Sequence, residues 1–144
     1  MGAYDNCIIL IPALQPDERM IQLICGLHNL GFNKIAITDD GSSEERQQYF
    51  QEAKSMGAWV MHHSKKMGKG VALRSALRLA DEKIGESNFY ITADCDGQYS
   101  PEDIEKVAKE LLNNPDCFVL GVRTYERKKG KKVRFWMNSC QKLF

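Results

Sequence analysis

Apolar runs and helical periodicity alternate along the chain. Short apolar runs, typical of buried strands, occupy residues 7–11, 34–38, 58–63, 88–93 and 117–122. Apolar residues at helical spacing predict helices over residues 17–30, from Ser42 or Ser43 to about residue 56, over 70–83 and over 101–113. Pro12 is expected to end the first strand, and a last helix is expected to start within residues 133–144.

This alternation predicts an α/β fold. Strands that are apolar throughout, separated by helices, are typical of a mostly parallel sheet with helices on both faces. The 144 residues suffice for one compact domain, and no domain boundary is visible, so residues 1–144 are taken as a single domain. A net charge of +1 gives no sign of nucleic-acid binding.

Cysteine usage and hydropathy fit a cytosolic chain. The five cysteines are widely spaced and form no C-x-x-C pair, so neither a disulfide framework nor a zinc site is predicted. No signal peptide is visible, and no apolar run reaches the ~18–20 residues of a membrane span. Charge is uneven: from Arg123 onward there are eight Lys or Arg residues and one acid.

Polar side chains follow each predicted strand. In a parallel sheet, ligands bind beyond the carboxyl ends of the strands. Those positions hold Pro12–Ala13, Asp39–Ser42, His62–His63, Asp94–Asp96 and Arg123.

Asp94 and Asp96 follow the fourth apolar run and are the strongest candidates for chemistry. Two carboxylates separated by one residue point the same way on an extended strand end, so both can reach one hard divalent ion. Gln98 can add a neutral oxygen. Such an ion would compensate the concentrated charge. The simpler alternative is a capped strand end with solvated acids.

Three other nucleotide-binding or phosphoryl-transfer motifs are disfavoured. The first strand runs into "PALQPDE" and not G-x-G-x-x-G. Gly68–Lys69 is not a P-loop, because His63 stands at the earlier glycine position and Gly70 at the Ser/Thr position. A haloacid-dehalogenase phosphatase would place its Asp-x-Asp after the first strand.

Five stretches in this order carry a resemblance: "IPALQPDE", "ITDDGSSEE", "MGKGVALRSAL", "TADCDGQYSPEDI" and "VLGVR". Together they resemble the nucleotide-sugar half of a family-2 glycosyltransferase with the A-type, Rossmann-like fold. The branch is the polyprenyl-phosphate type, similar to dolichol-phosphate mannosyltransferase. The resemblance covers essentially the whole chain.

The resemblance implies a nucleotide site and a metal site. Asp39 or Asp40, followed by Gly41, would bond the base edge, and Lys69 would lie near the nucleotide. Asp94 and Asp96, with Gln98, would bind Mg²⁺ or Mn²⁺ on the diphosphate. The base and ribose pocket would take Pro12, Ala13, Leu14 and Glu18, and Cys95 lies within the diphosphate motif.

The resemblance also implies the reaction and its partners. The enzyme would move a sugar from a UDP- or GDP-sugar to a polyprenyl phosphate, in envelope glycan synthesis at the cytosolic face of the membrane. Asp96, Arg123 and Arg134 would be catalytic, with both arginines facing the acceptor phosphate. The basic loop 123–132 would hold the membrane surface. The chain stops before the acceptor-side segment expected of such enzymes. The sugar, the nucleotide and a homo-oligomeric state stay open.

Some positions depart from the family pattern or stay open. Gln15 and Lys66 stand where Asn is usual. Lys69 is open between a ligand contact and a solvated first-turn lysine, whereas His62 and His63 are interpreted as structural. The functional alternatives are a family-2 transferase with a polysaccharide or other acceptor, a sugar-nucleotide pyrophosphorylase, and a non-catalytic nucleotide-sugar binding module.

Overall fold

The computed structural model describes residues 2–85, 89–119 and 121. The elements are, in chain order, β1 (Cys7–Ala13), α1 (Glu18–Asn29), β2 (Lys34–Asp39), a 3-10 turn (Glu44–Arg46), α2 (Gln47–Ser55), β3 (Trp59–His62), α3 (Lys69–Ile84), β4 (Phe89–Thr92) and α4 (Pro101–Asn113). Strands and helices alternate as the hydrophobic pattern predicts.

The four strands form one parallel sheet in the order β3-β2-β1-β4. The register places Ala13 beside Asp39 and Asp39 beside His62, so the ends of β1, β2 and β3 lie side by side. On the other side of β1, pairing with β4 runs to Leu10 and Thr92. The chain order reverses between β1 and β4, which is where ligands bind in open parallel sheets.

Helices cover both faces of the sheet, as predicted. One face packs against α1, α2 and α4 through a core that includes Ile9, Ile11, Leu27 and Phe50. The opposite face packs against α3, where Ala76 and Ala80 lie against Ile8 and Leu10. The fold is α/β and Rossmann-like.

Local signals in the sequence account for two helix boundaries. Asp17 caps α1, because its carboxylate accepts a hydrogen bond from the Arg19 amide. Ser100 caps α4 in the same way through the Asp103 amide, and Pro101 occupies the first turn. Both helices begin within one residue of the predicted position.

Strand β1 continues through Pro12, so the prediction that proline ends it is wrong. The Ala13 carbonyl accepts from the Asp40 amide, so the peptide groups of Ala13 face β2. The peptide groups of Pro12 face the opposite side of β1, towards β4, but the pairing of β1 with β4 already ends at Leu10. The missing N–H of Pro12 therefore breaks no ladder hydrogen bond.

Two further predictions differ from the structure at α2 and after α4. A 3-10 turn precedes α2, and Ser43 at its start makes no side-chain capping hydrogen bond. Residues 117–119 form no strand, and the rest of the predicted fifth strand lies outside the described residues. The predicted helix start within 133–144 also lies outside them.

Candidate functional site

The carboxyl ends of the four strands bring together most of the predicted site residues. Pro12 and Ala13 end β1, Leu14 follows them with 39% of its surface exposed, and Glu18 is exposed at the first position of α1. Ala13 neighbours Asp39 in the sheet register. We term this carboxyl edge of the sheet the crevice, because ligands bind there in open parallel sheets.

Asp39 is a buried carboxylate at the end of β2, with 2% of its surface exposed. It accepts hydrogen bonds from the Ser42 amide at 2.8 Å and from Gln47 Nε2 at 2.9 Å. His62 Nδ1 lies 2.8 Å from its Oδ2. Burial acts to raise the pKa of Asp39, but these hydrogen bonds outweigh burial, and the pKa lies below its usual value.

Asp40 is equally buried and anchors the segment between β3 and α3. Its carboxylate accepts hydrogen bonds from the Met67 and Gly68 amides at 2.8 and 2.9 Å. His63 Nδ1 lies 2.8 Å from Asp40, and His63 Nε2 lies 2.8 Å from Ser75 Oγ. Burial opposes ionisation, yet the His63 and amide contacts hold the pKa of Asp40 below its usual value. Asp40 thus fixes the residues that lead into Lys69.

His62 and His63 are held by these two carboxylates. The side chain of His63 is 8% exposed, whereas that of His62 is 38% exposed and also packs edge-on against Phe50. Within the described part of the chain, no group of three His, Cys, Asp or Glu residues is placed to hold a metal. Both imidazoles thus contact the carboxylates at the end of β2.

Gly41 allows the loops after β2 and β3 to touch. Its φ is 80°, and a Cβ added there would lie 2.5 Å from the backbone of Lys65 and Lys66. Only glycine accommodates both the left-handed backbone and this approach. Lys65 and Lys66 are thereby held beside the crevice, and both are exposed.

Gln15 joins the loop after β1 to the loop after β2. Its amide donates to Ser42 Oγ at 2.9 Å, and its side-chain Oε1 accepts from the Ser43 amide and hydroxyl at 3.2 and 3.0 Å. Gln15 adopts a φ of 52°, a left-handed conformation that costs a non-glycine residue roughly 1–3 kcal/mol. Ser42 and Ser43, where α2 was predicted to begin, instead hold this strained glutamine.

Lys69 and Asp94 form an ion pair across the crevice. Lys69 Nζ lies 2.7 Å from Asp94 Oδ1, and the two side chains are 63% and 27% exposed. The hydrogen bond to Asp94 raises the pKa of Lys69. Lys69 is the first residue of α3 and lies next to Gly68, which Asp40 holds. The charge of Asp94 is therefore partly compensated by the protein itself.

Asp96 lies in the acidic loop, defined as residues 93–100 between β4 and α4. Strand β4 ends at Thr92 and residues 95–97 bend, so the extended strand end expected through Asp96 is not found. Asp96 Oδ1 accepts from the Gln98 amide at 3.0 Å, a contact that orients its carboxylate. The side chain of Gln98 is exposed, and its predicted role as an oxygen ligand stays a prediction.

Cys95 stands between the two acids. Burial is the main cause that raises the pKa of its thiol to about 11, and the neighbouring carboxylates act in the same direction. The thiol is therefore protonated at neutral pH, which makes it a poor metal ligand or nucleophile.

Arg19 also belongs to this region, and sequence reasoning missed it. Its Nε and Nη2 donate to the Asp17 carboxylate, and its Nη1 donates to the backbone carbonyl of Asp96 at 2.7 Å. The Asp17 contact is local and could have been suspected from the spacing. The Asp96 contact spans 77 residues of sequence, and no pattern in the chain signals it.

The predicted acceptor-side residues Arg123 and Arg134, and the basic loop 123–132, lie outside the described residues. In the described part, no helix is both long and apolar enough to cross a membrane.

The chain matches one family and several curated proteins. The sequence model of glycosyl transferase family 2 matches residues 9–142. An uncharacterised protein of Methanocaldococcus jannaschii is 28% identical over 129 residues, which cover 90% of this chain and 51% of that protein. The UDP-N-acetylglucosamine–dolichyl-phosphate N-acetylglucosaminyltransferase of Methanococcus voltae is 26% identical over 139 residues, 87% of this chain and 55% of that enzyme. The chain spans about half the length of the curated relatives it matches.

Proposed function

Because the chain belongs to glycosyl transferase family 2, we propose that it is the donor-binding part of an enzyme that transfers a sugar from a nucleoside-diphosphate sugar to a polyprenyl phosphate. The observation that carries this proposal is the position of Asp94 and Asp96. Both acids follow β4, which pairs with β1 at the point where the order of the strands reverses, and Lys69 Nζ lies 2.7 Å from Asp94.

The strand ends supply the surroundings that a nucleotide needs. Pro12, Ala13 and Leu14 form an apolar edge, and Leu14 offers exposed surface for a base or ribose. Asp40 has three hydrogen-bonding contacts, whereas Asp39 already has four, with Gln47, His62 and both the amide and the hydroxyl of Ser42. A carboxylate has about four acceptor positions, so Asp40 retains room for one more donor from a base edge.

The acidic loop has the donor chemistry of a site for Mg²⁺ or Mn²⁺. Both carboxylates are partly exposed oxygen donors, and Gln98 adjoins them. Magnesium commonly takes one or two carboxylates and completes its shell with phosphate oxygens and water, so two acids suffice. Asp94, Asp96 and Gln98 would hold the ion, which supplies Lewis-acid stabilisation of the diphosphate leaving group.

Lys69 contributes positive charge from the opposite side of the crevice. Its ammonium is exposed, so a diphosphate oxygen can approach it while Asp94 remains near. The charge that develops on the leaving diphosphate favours such a contact. Lys69 therefore orients the donor in this proposal.

The acceptor is proposed to be a lipid phosphate. One relative is named for transfer to dolichyl phosphate. A phosphate acceptor is already anionic near neutral pH, so the reaction needs no strong general base. Arg123 and Arg134 would orient this acceptor phosphate.

The basic loop 123–132 would bind an anionic membrane surface, to which each Lys or Arg contributes ~1 kcal/mol. Neutralising Lys128, Lys129, Lys131 and Lys132 should then weaken binding to phosphatidylserine vesicles. Unchanged binding would exclude this surface as the membrane contact.

Thermal denaturation with UDP and GDP tests the donor site. One of the two nucleotides should raise the melting temperature of the chain in Mn²⁺ and should raise it much less in EDTA. Asp96→Ala should abolish this difference. The exposed Asp116 lies beyond α4, so Asp116→Ala is the matched control and should leave the difference intact. An equal shift in EDTA would refute the metal role of Asp94 and Asp96.

The ion pair between Lys69 and Asp94 favours a second candidate. Because this pair already compensates one acid, the chain can serve as a nucleotide-sugar binding module that needs no metal. That alternative predicts the same melting shift with UDP or GDP in Mn²⁺ and in EDTA.

A further inference from the structure

We infer that Arg19 is a positioning residue that sets the backbone of the acidic loop from the first turn of α1. This inference deepens the proposed function and rests on it, because the loop it positions carries Asp94 and Asp96. Arg19 contacts none of the groups proposed to bind the metal or the diphosphate through their side chains; its contact is with the Asp96 backbone carbonyl. Its effect on chemistry is indirect, through the main chain of Asp96.

The guanidinium is itself held in place before it reaches the loop. Arg19 Nη2 lies 2.7 Å from Asp17 Oδ2, and Nε lies 2.9 Å from Asp17 Oδ1, a two-point contact. The same Asp17 carboxylate accepts from the Arg19 amide and caps α1. The cation is thus fixed to the start of a helix whose other side is packed in the core.

The remaining guanidinium nitrogen reaches the acidic loop. Nη1 donates to the Asp96 carbonyl at 2.7 Å. The next residue, Gly97, has a φ of 79°, and a Cβ added there would lie 2.9 Å from Arg19 Cδ. The alkyl part of Arg19 therefore packs against Gly97 while its head holds Asp96. The left-handed backbone favours glycine at this position, and a larger residue would also displace the Arg19 side chain.

Packing alone does not fix this part of the loop. A cavity of about 260 Å³ lies next to Gly97 and is lined by Arg19, Gln22, Leu23, Gly97, Tyr99 and Pro101. Cys95 and Tyr99 pack against the core, whereas Gly97 and Gln98 between them are exposed, so the directed contact from Arg19 acts on the exposed part of the loop. Arg19 makes such a contact next to the Asp96 carboxylate.

Lysine cannot reproduce this arrangement. Guanidinium presents donors in a rigid planar fork, so two nitrogens can hold Asp17 while a third holds the loop. An ammonium is a single point on a flexible stem and cannot span both partners in one fixed geometry. Arg19→Lys should therefore behave like Arg19→Ala, which distinguishes positioning from a general need for positive charge.

The first measurement is backbone order in the nucleotide-free chain. Arg19→Ala and Arg19→Lys should lower the ¹⁵N order parameters of residues 95–98 from about 0.85 to below about 0.6. Residues 20–29 of α1 should keep their values. Arg78→Ala is the matched control, because Arg78 is an exposed arginine on α3 across the sheet. Unchanged order at 95–98, or an equal loss throughout α1, would overturn the inference.

The second measurement is calorimetric titration with UDP and with GDP, in Mn²⁺ and in EDTA. Both Arg19 variants should weaken Mn²⁺-dependent nucleotide binding about tenfold, the usual effect of losing an outer-shell contact, and leave binding in EDTA unchanged. If nucleotide binding by the wild type depends on Mn²⁺ and both Arg19 variants bind as tightly as the wild type, only this inference is overturned. A wild-type chain without metal dependence would overturn the proposed metal site, and the order parameters would still decide whether Arg19 positions the loop.

Discussion

The ammonium nitrogen of Lys69 lies 2.7 Å from Oδ1 of Asp94, so the first turn of α3 is joined to the acidic loop. Both side chains retain contact with solvent, and exposed pairs of this kind contribute only ~0–1 kcal/mol to stability. The pair therefore matters mainly for the local charge of the crevice. It brings a cation to the place where a diphosphate is expected.

Lys69→Ala should weaken nucleoside-diphosphate binding while changing the free energy of unfolding by less than about 1 kcal/mol. The reason is that the lost charge faces the ligand, whereas the lost ion pair is solvated. Titration calorimetry with UDP and GDP, together with urea unfolding, measures the two effects.

Lys109→Ala is the matched control for that change. Lys109 pairs with Glu105 at 3.3 Å, and the exposed fractions of 59% and 23% resemble those of Lys69 and Asp94. Its stability change should be similar, and its nucleotide affinity should equal that of the wild type. Equal affinities of both variants would show that Lys69 does not contact the donor.

Asp40→Asn should destabilise the fold by about 2 kcal/mol, since hydrogen bonds to a charged group contribute roughly 1.5–3 kcal/mol. Asp40 Oδ1 serves His63 and the Met67 amide, and Oδ2 accepts from the Gly68 amide, so an NH2 group at either position removes at least one acceptor. Urea unfolding measures the loss, with the exposed Asp116→Asn as control. A loss no greater than that of the control would mean that the buried carboxylate does not hold this segment.

Acid should lower the stability of the chain. The pKa values of Asp39 and Asp40 lie below their usual value of 3.8, and that of Asp17 is lowered to about 2, chiefly by its hydrogen bond with Arg19. An acid whose pKa is lower in the folded state than in the unfolded state stabilises the folded state when it is ionised. Their contribution is complete above the unfolded pKa near 4 and is lost as pH falls towards about 2.

Urea unfolding at pH 5 and at pH 2.5 tests this dependence. The wild type should lose stability on acidification, and Asp17→Asn should lose less because one of the three acids is absent. A free energy of unfolding that stays constant over this interval would contradict the depressed pKa values.

Gly41→Ala should destabilise the chain more than Gly57→Ala. Both glycines have a left-handed φ, of 80° and 94°, so alanine is strained at either position. An added Cβ meets backbone 2.5 Å away at Gly41 but meets nothing within 4 Å at Gly57. We expect about 1 kcal/mol for Gly57→Ala and at least ~1 kcal/mol more for Gly41→Ala by urea unfolding. Equal losses would show that the loops after β2 and β3 do not touch at Gly41.

Local signals predicted most of the fold. Helix α4 was predicted to its ends because Ser100 and Pro101 mark its start and apolar spacing marks its extent. Buried parallel strands were evident as apolar runs. The error at Pro12 arose because proline is compatible with a strand where its missing N–H faces no partner, and only the sheet order reveals that side.

The candidate site was predicted as a set of strand ends but not as a network. Asp39, Asp40 and Asp94 were identified from their positions after strands. The partners of the acids after β4 come from tertiary packing. Lys69, which pairs with Asp94, is 25 residues before it, and Arg19, which contacts Asp96, is 77 residues before it. Contacts over such distances leave no periodic trace in a single sequence, so the Arg19 contact was missed.

Binding of a divalent ion by Asp94 and Asp96, on the diphosphate of a nucleotide donor, underlies the proposed function. A crystal structure of the chain with Mn²⁺ and the nucleotide that binds more tightly, UDP or GDP, tests it most directly, because manganese is located by its anomalous scattering. We expect a manganese peak at about 2.0–2.4 Å from carboxylate oxygens of Asp94 or Asp96 and from the diphosphate, the distances of hard oxygen ligands. Bound nucleotide with no manganese at the acidic loop, and with Asp94 still paired to Lys69, would contradict it.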